Sequence, residues 1–201
     1  MNSIVLAGGQ SRRMGRDKAF LPVGEKFMLQ HITDCLRPIS DDVIVVTNHA
    51  WKVDGLRVQA VPDIVQEWGP LGGILSGLMA SSTQYNLVVA CDMPLLDRNV
   101  LTYLQSLREG YDAVVPSVEG MLHPLHAVYS QNCVEPIYNR LKRGTLKIMS
   151  FLKDVNVRYV DEPEVARIDP RYRSVVNVNT PSEYQSACLE FASWQLVPAA
   201  S

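Results

Sequence analysis

Ser3-Ile4-Val5-Leu6 runs into Ala7-Gly8-Gly9-Gln10-Ser11-Arg12-Arg13-Met14-Gly15-Arg16-Asp17-Lys18, and the reading of this opening decides the fold class. A short apolar run broken by two glycines reads as a buried strand that delivers a loop. The device recurs along the chain. Val43-Ile44-Val45-Val46 and Leu87-Val88-Val89-Ala90 are further buried strands, and Leu56 to Val61 is a weaker one. Between them, Met28, Leu29, Ile32, Cys35 and Leu36 fall at helical spacing. Ile74 to Ala80 reads as a helix opened by glycines, and Asn99 to Leu107 returns to helical spacing. Asp112 to Val115 is a strand ended by Pro116, with Leu125 to Tyr129 as its antiparallel neighbour after a turn at Gly120. Helical pieces follow near Glu135 to Leu141 and Leu146 to Leu152. Asn156 to Val160 and Ser174 to Val178 read as late strands, and a last helix begins near Pro181. Apolar strands alternating with helices predict a three-layer α/β/α sandwich, its sheet mostly parallel with an antiparallel strand.

Composition bounds what such a sheet can serve. At 201 residues the chain fits one domain, residues 1–201, with 197–201 a frayed tail. Lysine plus arginine is 19 and aspartate plus glutamate 21, a net charge of 19 − 21 = −2. That balance argues against a polycation for nucleic acid or for an acidic membrane, but not against a local anion site. Cys35, Cys91, Cys133 and Cys188 lie dozens of residues apart, which disfavours zinc knuckles, redox pairs and a disulfide framework. No apolar run approaches the ~18 residues a membrane helix requires. Arg12-Arg13 mimics an export signal, but no apolar segment follows it. The expectation is a cytoplasmic protein.

Open sheets of this kind bind ligands outside the carboxyl ends of their strands. The first junction is neither a Walker A loop nor a G-x-G-x-x-G fingerprint. It nevertheless sets Gly8 and Gly9 beside Arg12, Arg13, Arg16 and Lys18. Glycines let backbone N–H groups approach a ligand, and the cations offer donors to phosphate oxygens. The loop suits a nucleoside triphosphate; the competing reading is a solvated basic turn. Asp92 follows its strand directly, where one carboxylate with substrate phosphates can hold Mg²⁺. On its own, Asp92 reads equally well as a turn or cap. Thr180-Pro181-Ser182-Glu183 is a capping box with proline at the first helical position. Asn177 and Asn179 alternate with Val176 and Val178, which on a strand places both amides on one side. They suit an anionic ligand or a metal's hydration shell. His123 and His126 lie three apart on an extended segment, a poor chelate. Cys91 has no activating base and reads as core. Trp51, Trp68 and Trp194 read as packing residues, and His31 and His49 carry no site signal.

Leu6-Ala7-Gly8-Gly9, Arg13-Met14-Gly15 and Asp17-Lys18 together resemble the signature of nucleotidyltransferases with the sugar-nucleotide-transferase fold, a Rossmann-like α/β/α sandwich. Asn177-Val178-Asn179-Thr180-Pro181 is similar to the molybdenum cofactor guanylyltransferases within that superfamily. The resemblance spans Ile4 to about Tyr184. It implies that Leu6, Ala7, Gly8 and Gly9 line the nucleoside site, that Lys18 contacts phosphates with Arg13 assisting, or Arg12 or Arg16 in its place, and that Asp92 binds Mg²⁺. Asp63 is placed with the nucleotide, and Gly72, in Gly69-Pro70-Leu71-Gly72-Gly73, helps shape the base pocket. Asn48 approaches ribose or base. His123 lies near the pterin, and Asn179, ahead of Asn177, contacts metal or phosphate.

The expected activity is Mg²⁺-dependent transfer of GMP from GTP to molybdenum-loaded molybdopterin, releasing diphosphate. The rivals are cytidylyl transfer from CTP, transfer to a sugar phosphate or small alcohol, and a non-catalytic nucleotide sensor. The family chemistry implies transient contact with cofactor-assembly proteins and molybdoenzymes.

Overall fold

The computed structural model describes residues 1–8 and 17–195. Its first half contains β1 (Asn2–Leu6), β2 (Pro22–Val23), β3 (Lys26–Phe27), α1 (Met28–Leu36), β4 (Val43–Val46), β5 (Gln59–Val61), α2 (Gly69–Ala80), β6 (Tyr85–Ala90) and α3 (Arg98–Ser106). Then come β7 (Ala113–Val118), β8 (Met121–Leu122), β9 (His126–Ser130), α4 (Val134–Lys142), α5 (Ile148–Phe151), β10 (Val157–Val160), α6 (Glu162–Ala166) and α7 (Pro181–Gln195).

The main sheet runs β10-β7-β9-β6-β1-β4-β5, with β8 paired to β7 alone and β2-β3 a separate hairpin. β1 is parallel to β4 on one side and to β6 on the other. β9 is the antiparallel strand, lying between β6 and β7. The chain leaves β1 toward β4 and β5, then returns to β6 across β1. This reversal opens a crevice beyond Leu6 and Ala90, where open α/β sheets take their ligands.

Strand alternation sorts the apolar side chains into two cores. Val5, Val45 and Val89 face α1, α3 and α7, packing with Leu29, Leu101 and Phe191. Ile4, Leu6, Ile44 and Val88 face α2, α4 and α5, packing with Ile74, Ile137 and Phe151. A sheet buried on both faces explains why its strands read as continuous apolar runs.

Four local expectations change. The Gly69-Pro70-Leu71-Gly72-Gly73 segment is the first part of α2 and does not precede it. Pro70 fits the first turn; Gly69 takes a positive φ, a Cβ at Gly72 would strike Trp68, and one at Gly73 would press on Leu6 of β1. β7 continues through Pro116, because there it has left β9, whose pairing ends at Val114, and joins β8 only at Ser117. A missing N–H costs little at that gap. Ser174 to Val178 is no strand: Arg173–Val175 forms a 3₁₀ turn and the chain then crosses below Asp92. Trp51 is 70% exposed and packs no core, since its short turn sends Val53 inward instead.

Contact between α2 and β1 is closest at Gly77, where an added Cβ would lie 2.4 Å from Ile4 Cγ2. Overpacking there is expected to exceed the helical gain of alanine, so Gly77→Ala should lose about 1–3 kcal/mol in denaturant titration.

Candidate functional site

The crevice is assembled from strand ends. The Leu6 carbonyl accepts from the Cys91 amide at 3.1 Å, and the Ala7 amide donates to the Val46 carbonyl at 3.0 Å. These bonds hold Leu6, Ala7 and Gly8 between β6 and β4, so the chain enters the loop from a fixed exit. Gly9 and the arginines 12, 13 and 16 lie outside the described residues, so the expected roles of Gly9 and Arg13 are not placed.

Beyond the loop, Asp17 caps a short 3₁₀ turn, Lys18–Phe20, by accepting from the Ala19 amide at 3.3 Å. Ala19 and Leu21 are buried and anchor that turn. Lys52 pairs with Asp17 at 2.8 Å, and its ammonium lies 5.4 Å from the Phe20 ring centroid and 5.6 Å from that of Trp51. The turn aims Lys18 back across the crevice. Its Nζ stands 3.2 Å from Asp92 Oδ2 and donates to Asn179 Oδ1 at 2.7 Å. The Lys18 and Asp92 side chains are only 15% and 17% exposed. Partial burial of a pair strengthens its attraction and its cost of separation.

Asp92 and Asn179 are also tied through the backbone. The Val178 amide donates to the Asp92 carbonyl at 2.9 Å, and the Val178 side chain is fully buried. The predicted capping box of α7 is present, with Thr180 Oγ1 accepting from the Glu183 amide and Glu183 Oε2 accepting from the Thr180 amide. The same Oε2 accepts from the Asn179 amide at 2.6 Å. Asn179 is therefore placed by the cap, a link the sequence pattern did not reveal. Asn177 is half-buried and has no side-chain partner among the described residues. Its shared strand face with Asn179 is lost with the strand.

A second cluster lies at the ends of β4 and β5. Asn48 Oδ1 accepts from the Asp63 amide at 3.1 Å. Asp63 Oδ1 lies 3.2 Å from the Ser76 hydroxyl, whose Oγ accepts from the Ile64 amide at 2.9 Å. Gly72 completes the cluster: a Cβ there would lie 2.6 Å from Trp68 Cβ and 3.5 Å from Asp63 Oδ1. Asn48, Asp63 and Gly72 are thus brought together. Ser76 was not anticipated, since a serine inside a helix carries no motif.

His123 sits on the far side of the crevice, between β8 and β9. Its amide donates to the Pro116 carbonyl at 2.9 Å, and desolvation holds its imidazole below the ordinary pKa. Its Nε2 is buried with no partner among the described residues. His126 is fully buried on β9, 3.3 Å from the Ser174 hydroxyl, and burial pushes its pKa down to about 3. Both rings are neutral at pH 7. Cys91 packs on the core, and burial raises its thiol pKa, which fits a structural residue.

The donor set at the crevice suits a hard divalent cation. Asp92 Oδ1 is buried with no hydrogen-bond partner among the described residues, and such a carboxylate oxygen is costly unless something neutralises it. Carboxylate and amide oxygens are the ligands such ions prefer. No group of three or more histidine, cysteine, aspartate or glutamate side chains placed to hold a metal occurs among the described residues. A divalent ion held here would take further ligands from substrate oxygens. No helix among the described residues is long and apolar enough to cross a membrane.

A mostly parallel sheet with its reversal beside a lysine–carboxylate pair defines a nucleotidyltransferase of Rossmann-like fold. The MobA-like NTP transferase domain matches residues 3–159, and the chain belongs to that family. A probable molybdenum cofactor guanylyltransferase of Pelotomaculum thermopropionicum is 37% identical over 186 residues, covering 92% of this chain and 90% of that protein. A molybdenum cofactor guanylyltransferase of Desulfosudis oleivorans is 33% identical over 189 residues, covering 93% and 94%. The crystal structure of molybdopterin-guanine dinucleotide biosynthesis protein A from Archaeoglobus fulgidus superposes with a TM-score of 0.83. It is 24% identical and covers 96% of this chain and all of that one, which shows the shared fold.

The cap that holds Asn179 gives a pH signature. Glu183 is kept below the ordinary carboxylate pKa, first by the Asn179 amide and then by Thr180. A depressed carboxylate stabilises the fold above its unfolded pKa, and that contribution fades as pH falls through the folded value. Glu183→Ala should therefore lower the melting temperature at pH 7, and the gap from wild type should narrow as pH falls below the ordinary carboxylate range.

Proposed function

We propose that this chain transfers GMP from GTP to molybdenum-loaded molybdopterin, giving the guanine dinucleotide form of the cofactor and diphosphate. The reading rests on one observation above the others: Lys18 joins Asp92 and Asn179 at the carboxyl ends of β1 and β6. The relatives bearing the guanylyltransferase name, matched over most of both chains, support the substrate pair.

The reaction asks little covalent chemistry of the protein. The terminal phosphate of the pterin attacks the α-phosphorus of GTP in line, and diphosphate leaves. The nucleophile is already an anion, so no general base is needed. The tasks are positioning and charge neutralisation. Lys18 is assigned to the triphosphate oxygens, with Arg13 assisting from the loop. Leu6, Ala7, Gly8 and Gly9 line the nucleoside site, with Asn48, Asp63 and Gly72 around its outer end. Asp92 and Asn179 would hold Mg²⁺, which when bound offsets charge on the phosphates and on the departing diphosphate. His123 and Asn177 are assigned to the pterin side, where a neutral imidazole can donate or accept a hydrogen bond without adding charge. Cofactor-assembly proteins upstream and molybdoenzymes downstream are the proposed partners.

Diphosphate release from GTP and loaded molybdopterin tests the reading. Lys18→Ala and Asp92→Ala should each lose at least about 10²-fold in turnover while circular dichroism stays native. Chelation should abolish turnover, with added Mg²⁺ restoring it. Preference for CTP over GTP would overturn the donor assignment.

A further inference from the structure

We propose that Ser76 is a positioning residue for donor-nucleotide binding, holding the Asp63 carboxylate as a fixed acceptor for hydrogen-bond donors on the nucleoside. The proposal rests on the nucleotide-transfer reading above and deepens it.

Ser76 is 3% exposed, inside α2. A helical serine commonly returns its proton to the carbonyl four residues back. Ser76 has that option, with the Gly72 carbonyl at 2.9 Å. Its Oγ also reaches Asp63 Oδ1 at 3.2 Å and accepts from the Ile64 amide at 2.9 Å. One hydroxyl has one proton. A bond to an ionised carboxylate is roughly twice as strong as one to a neutral carbonyl, so the proton goes to Asp63. Ser76 then grips the loop twice, at the carboxylate and at the amide that follows it.

Asp63 is held by more than a turn requires. An aspartate in a surface turn takes a backbone amide two residues ahead, and here the Val65 amide does so. Two further restraints arrive from separate elements, Asn48 at the end of β4 and Ser76 in α2. The carboxylate has been partly stripped of water, which raises its pKa, yet it is kept as an acceptor. Gly72 lets the helix start pass close to Asp63, since a Cβ there would strike Trp68 and touch the Asp63 carboxylate.

The placement suits the outer end of a nucleotide. From β6 across β1 and β4 to β5 are three strand spacings, about 14 Å at ~4.8 Å each. With its phosphates at Lys18 and Asp92, a nucleoside triphosphate lying along this edge brings ribose and base to Asp63. Both carry donors a carboxylate can accept: ribose hydroxyls, and the N1–H and 2-amino group of guanine.

Calorimetric Kd values for GTP test this directly, on wild type, Ser76→Ala, Asp63→Asn and the double variant. Ser76→Ala should weaken GTP binding about 10-fold, with kcat at saturating GTP within about threefold of wild type. In the Asp63→Asn background the same change should cost under about twofold, since the group it positions is gone. Should Ser76→Ala not fold, Ser76→Cys carries the same cycle, its weaker donor giving a smaller loss in the same direction. ITP, which lacks the 2-amino group, and 2′-deoxyGTP separate base from ribose: the Ser76 effect should vanish with the analogue lacking the group Asp63 accepts. Wild-type affinity in the Ser76 variant, or an equal loss with and without Asp63, overturns the proposal. A wild-type protein that binds no GTP overturns the transfer reading instead.

Discussion

The ammonium of Lys18 is the tie on which the site depends. It joins groups 74 and 161 residues away along the chain, Asp92 after β6 and Asn179 before α7. Neither contact is local, so the geometry exists only once the sheet has closed and α7 has docked. Holding a flexible lysine in one place has an entropic cost. Buried Ala19 and Leu21 confine its backbone, and the two oxygens confine its tip. The result is a cation preset at a crevice before any anion arrives, the kind of preorganisation that makes phosphate chemistry efficient.

The tie leaves a deliberate imbalance. Lys18 engages Asp92 through Oδ2, while buried Oδ1 has no partner among the described residues. A net charge of −2 over the chain says nothing of this local arrangement. Across the edge the chemistry changes from charge to shape and hydrogen bonding, with Asn48, Asp63 and Gly72 around the ends of β4 and β5. One linear ligand, charged at one end and heteroaromatic at the other, matches that gradient.

Much of this was legible from sequence because burial on both faces writes itself as unbroken apolar runs. β4 and α1 fall where the pattern put them, and β9 pairs antiparallel as expected. Lys18 and Asp92 were singled out by the resemblance, since a position after a strand left Asp92 equally open to a turn or cap. What failed, failed where tertiary contact overrode local pattern. Val176 and Val178 alternate with asparagines as a strand would, but the segment finds its backbone partner in the Asp92 carbonyl and not in a neighbouring strand. Gly72 and Gly73 look like a loop until Trp68 and Leu6 are seen pressed against them. Trp51 reads as core by composition, yet Val53 takes the inward position of the same turn. Ser76 left no trace at all, because its meaning lies in an aspartate 13 residues away.

The match to the MobA-like NTP transferase domain ends at residue 159, yet Lys18 and Asp92 bond to groups beyond it. Asn179 and the cap that orients it lie beyond that limit. α7 also reaches the elements around Lys18: Tyr184 donates to the Pro22 carbonyl in β2, and Phe191 meets the His31 ring of α1 at 4.7 Å between centroids. β2 begins just after Leu21, so α7 braces the segment that carries Lys18, while Asn179, the residue before its N-terminal cap, supplies the oxygen that Lys18 binds. The C-terminal segment is therefore part of the site's construction. Residues 3–159, which match the domain, supply the crevice and its carboxylate. The last helix, packed through Ala187 and Phe191, joins the core to β2 through Tyr184 and to Lys18 through the Asn179 that precedes it.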